Sequence, residues 1–152
     1  MRILFVCLGN ICRSPTAEGV MLGLIEEQGV ADRIEVDSAG TGNWHVGKRA
    51  DQRAIAAAAE RGVELTSLAR QVTGSDFDDF DLIVAMDRSN YGDLIEMPGS
   101  DPTKVKLLRD YSDDEEKDVP DPYYGEDGGF VEVLEIVDRN CRDLLAEVTA
   151  SA

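Results

Sequence analysis

The strongest indication of the fold lies in ILFVCLGNICRSP, residues 3–15. Its first four residues form a short, continuous apolar run, which is typical of a parallel strand buried on both faces. A turn containing Gly9 and Asn10 follows, and both residue types tolerate left-handed backbone angles. Ser14 is then a suitable helix N-cap, and Pro15 suits the first helical position. The stretch therefore predicts a buried strand, a tight loop and a helix.

The same alternation of strands and helices continues along the chain. Further strands are predicted at 34–36, 80–86 and 105–108, and helices at 16–29, 50–61, 89–97 and 130–148. The last helix has the clearest pattern, because its apolar residues recur at every third or fourth position. This order predicts an α/β fold, a single three-layer domain over 1–152 with a mostly parallel sheet covered by helices on both sides.

Composition limits the partners. The chain has 31 acidic and 15 basic residues and a formal net charge of −16. Nucleic acid and anionic membranes are polyanions that need basic patches, so neither is an expected partner. No apolar stretch approaches the length of a membrane span. Three cysteines are an odd number, which argues against a disulfide framework and indicates a reducing, cytoplasmic setting.

The loop after the first strand has the features of an anion site. A tightly curled backbone points successive N–H groups inward, and the following helix adds its positive N-terminal end. The guanidinium of Arg13 matches two oxygens of a phosphate group. The same donors favour the thiolate form of Cys7, which would lie in line with the phosphorus of a bound ester. The loop therefore predicts phosphoryl transfer through a phosphocysteine intermediate.

A phosphatase also needs an acid that protonates the leaving oxygen. Asp121 is the candidate, because Pro120 and Pro122 stiffen its backbone and Tyr123 and Tyr124 follow it. Rigid placement beside aromatic side chains suits an aryl substrate. From composition alone, the segment is more typical of a surface turn in an acidic loop.

Taken together, these motifs resemble the low-molecular-weight protein tyrosine phosphatase family. The resemblance covers nearly the whole chain, in family order, through FVCLGNICRSP, DSAGT, ARQV, FDLIVAMDRSN and DPYYG. It implies a four-stranded parallel sheet flanked by helices, with a phosphate-binding loop after the first strand. It also implies hydrolysis of phosphotyrosine on a protein or peptide without a cofactor or metal, by a monomer or weak dimer.

The resemblance also implies roles for individual residues. Cys7 is the expected nucleophile, Arg13 the phosphate clamp, and Asp121 the general acid and then the base. The residues expected to contact the substrate, from the loop and the cleft walls, are Leu8, Gly9, Asn10, Ile11, Cys12, Ser14, Trp44, Tyr123 and Tyr124. The expected supporting residues are Ser38, Ser67 and Asp87. Within these sets, Ser14 is expected to donate to the thiolate, and Asn10 to hold the loop in shape.

One position departs from the animal members, which have a histidine that braces the loop asparagine where this chain has Ser67. A serine there offers Asn10 a similar but shorter contact.

The sole histidine, His45, is interpreted as an exposed loop residue. The loop has a second thiol, Cys12, and we predict that it forms a disulfide with Cys7 that protects the nucleophile from irreversible oxidation. The alternative is that Cys12 only packs beneath the loop.

Three other functions remain open at this point. An arsenate reductase on the same fold would use Cys7, but it needs further thiols, and Cys141 lies on the apolar face of the last helix. A phosphocysteine carrier of a sugar-transport system would need no acid at Asp121. A non-catalytic phosphotyrosine-binding module would have lost the thiol or the acid, and both are present.

Overall fold

Four parallel strands and five α-helices build the fold in the computed structural model, which describes residues 1–125 and 128–150. The strands are β1 (Arg2–Cys7), β2 (Glu35–Gly40), β3 (Leu82–Ala85) and β4 (Val105–Leu107). The helices are α1 (Arg13–Glu27), α2 (Gln52–Ala59), α3 (Asp76–Asp79), α4 (Arg88–Glu96) and α5 (Gly128–Ala150). The sheet order is β2-β1-β3-β4. The predicted fold class is confirmed, while the extent 1–152 stays a prediction, because residues 126, 127, 151 and 152 lie outside the described part.

The central strand β1 has the buried character that its sequence predicted. Ile3, Leu4, Phe5 and Val6 are fully buried. Successive side chains of a strand point to opposite faces. Ile3 and Phe5 accordingly pack in the core beneath α1 and α5, whereas Leu4 and Val6 pack in the core beneath α3 and α4. Helices therefore cover both faces, which gives three layers.

The loop that follows β1 lies where the strand order reverses. The chain passes from β1 to its neighbour β2 on one side, and later returns to β3 on the other side of β1. Cys7 pairs in register with Gly40, and Val6 pairs with Ala85. In parallel α/β sheets, the ligand crevice opens at the carboxyl ends of the strands at such a point.

One helix start and one additional helix differ from the predictions for physical reasons. Helix α1 begins at Arg13 with Cys12 as its N-cap, although Ser14 was the predicted cap. The hydroxyl of Ser14 is occupied by Cys7 and Asn10, and so it does not cap the helix. The four-residue helix α3 was not predicted, because one turn is too short to show a helical period.

Helix α5 is the longest helix, at 23 residues. Its buried side chains include Val133, Val137, Cys141 and Leu144, and this pattern confirms the predicted apolar stripe. Cys141 packs in the core. In the part of the chain that the structure describes, no helix combines the length and the hydropathy that a membrane span requires.

The segment between β4 and α5 is tied down at its base by an ion-pair cluster. Asp114 accepts hydrogen bonds from Arg109 at 3.0 Å, from Arg139 at 2.8 Å and from Asn140 at 3.3 Å. Arg109 also donates to the carbonyl of Asp118 at 2.7 Å. The cluster therefore links this segment to α5 and fixes the start of the turn that carries Asp121.

Replacing Asp114 with asparagine is expected to destabilise the fold at neutral pH. The hydrogen bond from Arg139 is the main cause that holds the pKa of Asp114 at about 2, below its ordinary 3.8. Because the pKa of Asp114 is lower in the folded protein than in the unfolded one, its ionised form stabilises the fold above about pH 4. This contribution disappears as the pH falls towards about 2. After allowance for solvent screening, we expect a loss of about 1 kcal/mol in the free energy of unfolding at pH 7.

Urea denaturation at pH 7 and at low pH measures this difference. The exposed neighbour Asp113 provides the matched control, because Asp113→Asn removes the same charge without touching the cluster. Equal losses in the two variants, or a loss for Asp114→Asn that persists at pH 2, would contradict the assignment.

Candidate active site

The loop after β1 curls beneath the N-terminus of α1. Asn10 adopts a left-handed conformation with φ 57°, as predicted. Gly9 does not use the left-handed conformation that a glycine tolerates. Space at Gly9 is tight, because a Cβ there would lie 3.1 Å from a ring carbon of His45, and that ring would have to shift by a few tenths of an ångström. Gly40 is required for a similar reason, since a Cβ there would lie 2.8 Å from the carbonyl oxygen of Leu8.

Hydrogen-bond donors surround the sulfur of Cys7. The backbone N–H of Asn10 donates to Sγ at 3.3 Å, and the Ser14 hydroxyl lies 3.0 Å from Sγ. The side-chain amide of Asn10 donates to Ser14 Oγ at 2.8 Å. A hydroxyl has a single hydrogen, and with its oxygen already accepting, Ser14 can direct that hydrogen to the sulfur. These contacts are arranged to hydrogen-bond a thiolate.

Arg13 is fixed in place by partners from distant parts of the chain. Only 3% of its side chain is exposed. Nη1 donates to Asp87 Oδ2 at 2.6 Å and to the carbonyl of Val119 at 3.0 Å. Burial alone would lower the pKa of Arg13, but the negative groups of Cys7, Asp87 and Asp121 outweigh burial and raise it. The guanidinium is therefore a permanent cation at the loop.

Asn10 is braced by three partners. Its amide donates to Ser14 and, at 3.0 Å, to Ser38 Oγ, while its carbonyl oxygen accepts from the N–H of Arg70 at 3.0 Å. The expected direct contact with Ser67 is replaced by an indirect one. Ser67 hydrogen-bonds Glu18, which in turn accepts from Ser38.

Sequence reasoning missed Glu18 in this network. Burial raises the pKa of Glu18, and hydrogen bonds from Ser38 and Ser67 only partly offset that effect. A signal was present, because Glu18 follows Ser14 by four residues and so shares its helix face, among side chains that are buried. The contact with the backbone of Arg70 had no sequence signal.

A cleft of about 240 Å³ opens above the sulfur. Its lining residues are Cys7, Leu8, Gly9, Ile11, Cys12, Arg13, Trp44, His45, Asp121, Tyr123 and Tyr124. Aromatic rings form its walls, with Tyr123 4.9 Å from Tyr124 and 5.9 Å from His45 between ring centres. His45 thus lines the cleft and is only partly exposed, contrary to the expectation. Asn10 and Ser14 lie buried beneath the loop and do not line the cleft.

Asp121 is positioned over the loop by its own backbone. The N–H of Val119 donates to the carbonyl of Met86 at 2.8 Å, which anchors the turn to the end of β3. Asp121 Oδ1 accepts from the N–H of Tyr123 at 3.1 Å. Its other oxygen, Oδ2, lies 3.6 Å from Nη2 of Arg13, and 34% of the side chain is exposed. The carboxyl group therefore faces both the anion site and the opening of the cleft.

The three cysteines are all free and buried, but the groups around them differ. Burial, reinforced by the charge of Asp51, raises the pKa of Cys12 to about 12, and burial also raises the pKa of Cys141. The pairing of Cys7 with Cys12 on oxidation stays a prediction. Within residues 1–125 and 128–150, no cluster of three or more histidine, cysteine or acidic side chains is placed to hold a metal ion.

Fold and site together define a class of protein, a parallel α/β domain with an anion loop that carries a thiol at its floor. The family model described as low molecular weight phosphotyrosine protein phosphatase matches residues 2–152. The chain belongs to this family.

Relatives support the assignment. The low molecular weight protein-tyrosine-phosphatase YfkJ of Bacillus subtilis (strain 168) is 44% identical over 149 residues, 96% of this chain and 94% of the relative. A protein tyrosine phosphatase from Entamoeba histolytica, crystallised with Hepes in the active site, superposes with a TM-score of 0.95 at 40% identity, covering 99% of this chain and 98% of that one.

A third solved structure, DARP, a drosophila arginine phosphatase, superposes with a TM-score of 0.90 at 33% identity, covering 97% of this chain and 98% of that one. The fold by itself therefore does not decide which phosphorylated side chain enters the cleft.

Proposed function

We propose that this chain hydrolyses phosphotyrosine on proteins or peptides through a phosphocysteine on Cys7. The observation that carries the proposal is the aromatic cleft above the sulfur, with Arg13 at its floor and Asp121 over its opening. An aryl ring fits between Trp44, Tyr123 and Tyr124, and its phosphate then reaches the loop.

Two chemical steps follow from this arrangement. In the first, the Cys7 thiolate attacks phosphorus while Arg13 and the loop N–H groups hold the phosphate oxygens. The P–O bond breaks, its electron pair goes to the phenolic oxygen, and Asp121 supplies the proton. In the second, the Asp121 carboxylate accepts a proton from a water molecule that attacks the phosphocysteine. Phosphate leaves, and the thiolate and the protonated acid are restored.

Supporting residues act through the catalytic groups. Asp87 orients Arg13 with Oδ2 while its Oδ1 caps α4 by accepting from the N–H of Asn90 at 2.7 Å. Ser14 donates to the thiolate, and Asn10 maintains the left-handed turn of the loop. Preorganised donors of this kind need no rearrangement when charge develops in the transition state.

The other candidate functions have weaker support. Arsenate reduction needs a relay of thiols, and Cys141 is packed in the core beneath α1. A phosphocysteine carrier has no use for a carboxyl group held 3.6 Å from the phosphate clamp. A module that only binds phosphotyrosine needs neither the thiol nor the acid.

We further propose a cytoplasmic setting and a monomer or weak dimer. The three free thiols support a reducing compartment. The net charge of −16 disfavours nucleic acid and anionic membranes as partners.

The direct test is phosphate release from three matched peptides that carry phosphotyrosine, phosphoserine or phosphoarginine. We expect kcat/KM to be greatest for phosphotyrosine, by roughly a hundredfold over phosphoserine, because the short serine side chain cannot carry its phosphate to the cleft floor. Phosphoarginine tests the activity named for the drosophila neighbour. Faster release from phosphoarginine than from phosphotyrosine would overturn the proposed substrate.

Replacing Arg13 with lysine is expected to lower kcat by about a hundredfold, about 2.7 kcal/mol. Lysine keeps the charge but loses the planar pair of donors that can follow the equatorial oxygens in the transition state. Steady-state kinetics on an aryl phosphate measures this effect, and circular dichroism verifies the fold. A rise in KM with kcat unchanged would assign Arg13 to ground-state binding instead.

A further inference from the structure

A second groove continues from the cleft across the surface. Its volume is about 620 Å³, and it shares Ile11, His45 and Tyr123 with the cleft as lining residues. From there it extends along residues 48–53 towards the start of α2. A peptide whose phosphotyrosine occupies the cleft would therefore place neighbouring residues in this groove, which we call the basic groove.

The charge of the basic groove is opposite to that of the whole molecule. Among the residues that the structure describes, Lys48, Arg49 and Arg53 line it together with a single carboxylate, Asp51, although the chain has a net charge of −16. Arg53 is paired with that carboxylate at 3.0 Å. Lys48 and Arg49 are exposed, and neither forms an ion pair within residues 1–125 and 128–150. Two adjacent cations are thus available to an incoming ligand.

The backbone that carries these cations is bonded to the phosphate loop. The N–H of Asp51 donates to the carbonyl of Ile11 at 2.7 Å. Lys48 donates its N–H to the carbonyl of His45 at 2.9 Å, and its own carbonyl accepts from Ala69 at 2.8 Å. The backbone that carries the two cations is therefore held in a fixed position relative to the site where the phosphate binds.

A third groove, which shares Leu8 and Trp44 with the cleft, has a different character. The groove has a volume of about 310 Å³, and its charged lining residue within the described part of the chain is Asp93, among apolar groups such as Val72 and Met97. Among the described residues, the basic groove therefore offers cations to a peptide, whereas the third groove offers apolar groups and one carboxylate.

Building on the proposed function, we infer that Lys48 and Arg49 select phosphotyrosine segments with acidic residues on one side of the phosphotyrosine. The net charge of the molecule repels acidic peptides at long range, and a local positive groove offsets this repulsion at the site. Exposed ion pairs contribute modestly, so two of them give an expected preference of about fivefold in kcat/KM at low salt.

The test uses three phosphotyrosine peptides that are identical except for their flanks. One has glutamates on the N-terminal side, one has glutamates on the C-terminal side, and one has glutamines on both sides. Nitrophenyl phosphate, which has no flanks, monitors the cleft alone. We expect one acidic peptide to exceed the neutral peptide about fivefold, and this advantage to disappear at 1 M salt, where the Debye length is about 3 Å.

Variants assign the effect to the groove. Lys48→Gln combined with Arg49→Gln should abolish the preference, and Lys48→Glu combined with Arg49→Glu should transfer it to a lysine-flanked peptide. Arg33→Gln combined with Lys106→Gln is the matched control, because it removes one exposed arginine and one exposed lysine outside both grooves. This control should keep the preference.

Equal kcat/KM for all three peptides would overturn the inference while leaving the proposed function intact. Loss of the preference in the control pair would also overturn it, because overall charge and not the groove would then be responsible. A protein that cleaves nitrophenyl phosphate but none of the phosphotyrosine peptides would overturn the proposed function and this inference together.

Discussion

Replacing Cys7 with serine is expected to lower kcat/KM for phosphotyrosine by about 10⁴-fold or more. Serine keeps the shape of the side chain, but its hydroxyl must lose a proton before it can attack phosphorus. The groups around the sulfur are the N–H of Asn10 and the hydroxyl of Ser14, with the cationic Arg13 beside them. None of these is a general base, so a serine at this position remains a weak nucleophile.

Phosphate release and the mass of the Cys7 peptide after rapid quenching measure this prediction. The wild-type peptide should carry a phosphoryl group during turnover. Cys141→Ala is the matched control, because Cys141 lies in the core and its removal should preserve turnover. Retention of more than about a hundredth of the activity in Cys7→Ser would exclude phosphocysteine as the obligatory intermediate.

Replacing Asp121 with asparagine is expected to lower kcat/KM for phosphotyrosine by roughly 10³-fold. The phenol of tyrosine has a pKa of about 10, so its departure without a proton is costly. Asparagine keeps the shape and the hydrogen bond that Asp121 accepts from Tyr123, but it has no proton to give. Nitrophenol is much more acidic and needs less help, so turnover of nitrophenyl phosphate should fall less.

The comparison uses kcat/KM, which ends at the first irreversible step and so isolates the acid role from the later base role. The basic limb of the pH profile should flatten in the variant, because that limb reports deprotonation of the acid. Phosphocysteine should accumulate, since its hydrolysis needs the same residue as base. An equal loss on both substrates would make Asp121 a structural residue.

Local pattern was sufficient for the fold class. The apolar run of Ile3 to Val6 marks a strand buried on both faces, and the three-four spacing of α5 marks a helix with one apolar stripe. Each pattern is set by residues that are close together in the chain, so it can be recognised without knowledge of the tertiary structure. The boundaries were less secure, as Ser14 shows, because a serine that could cap a helix was taken by Cys7 and Asn10.

The chemistry of the loop could be predicted from the sequence, because Cys7, Asn10, Arg13 and Ser14 are close in the chain and the turn between strand and helix brings them together. The distant groups that complete the site could be identified only in the folded structure. Asp87 and the carbonyl of Val119 reach Arg13 from 74 and 106 residues away, and Ser67 contacts Glu18 and not Asn10. Strand order and helix packing determine such contacts, and neither can be predicted from the spacing of residues along the chain.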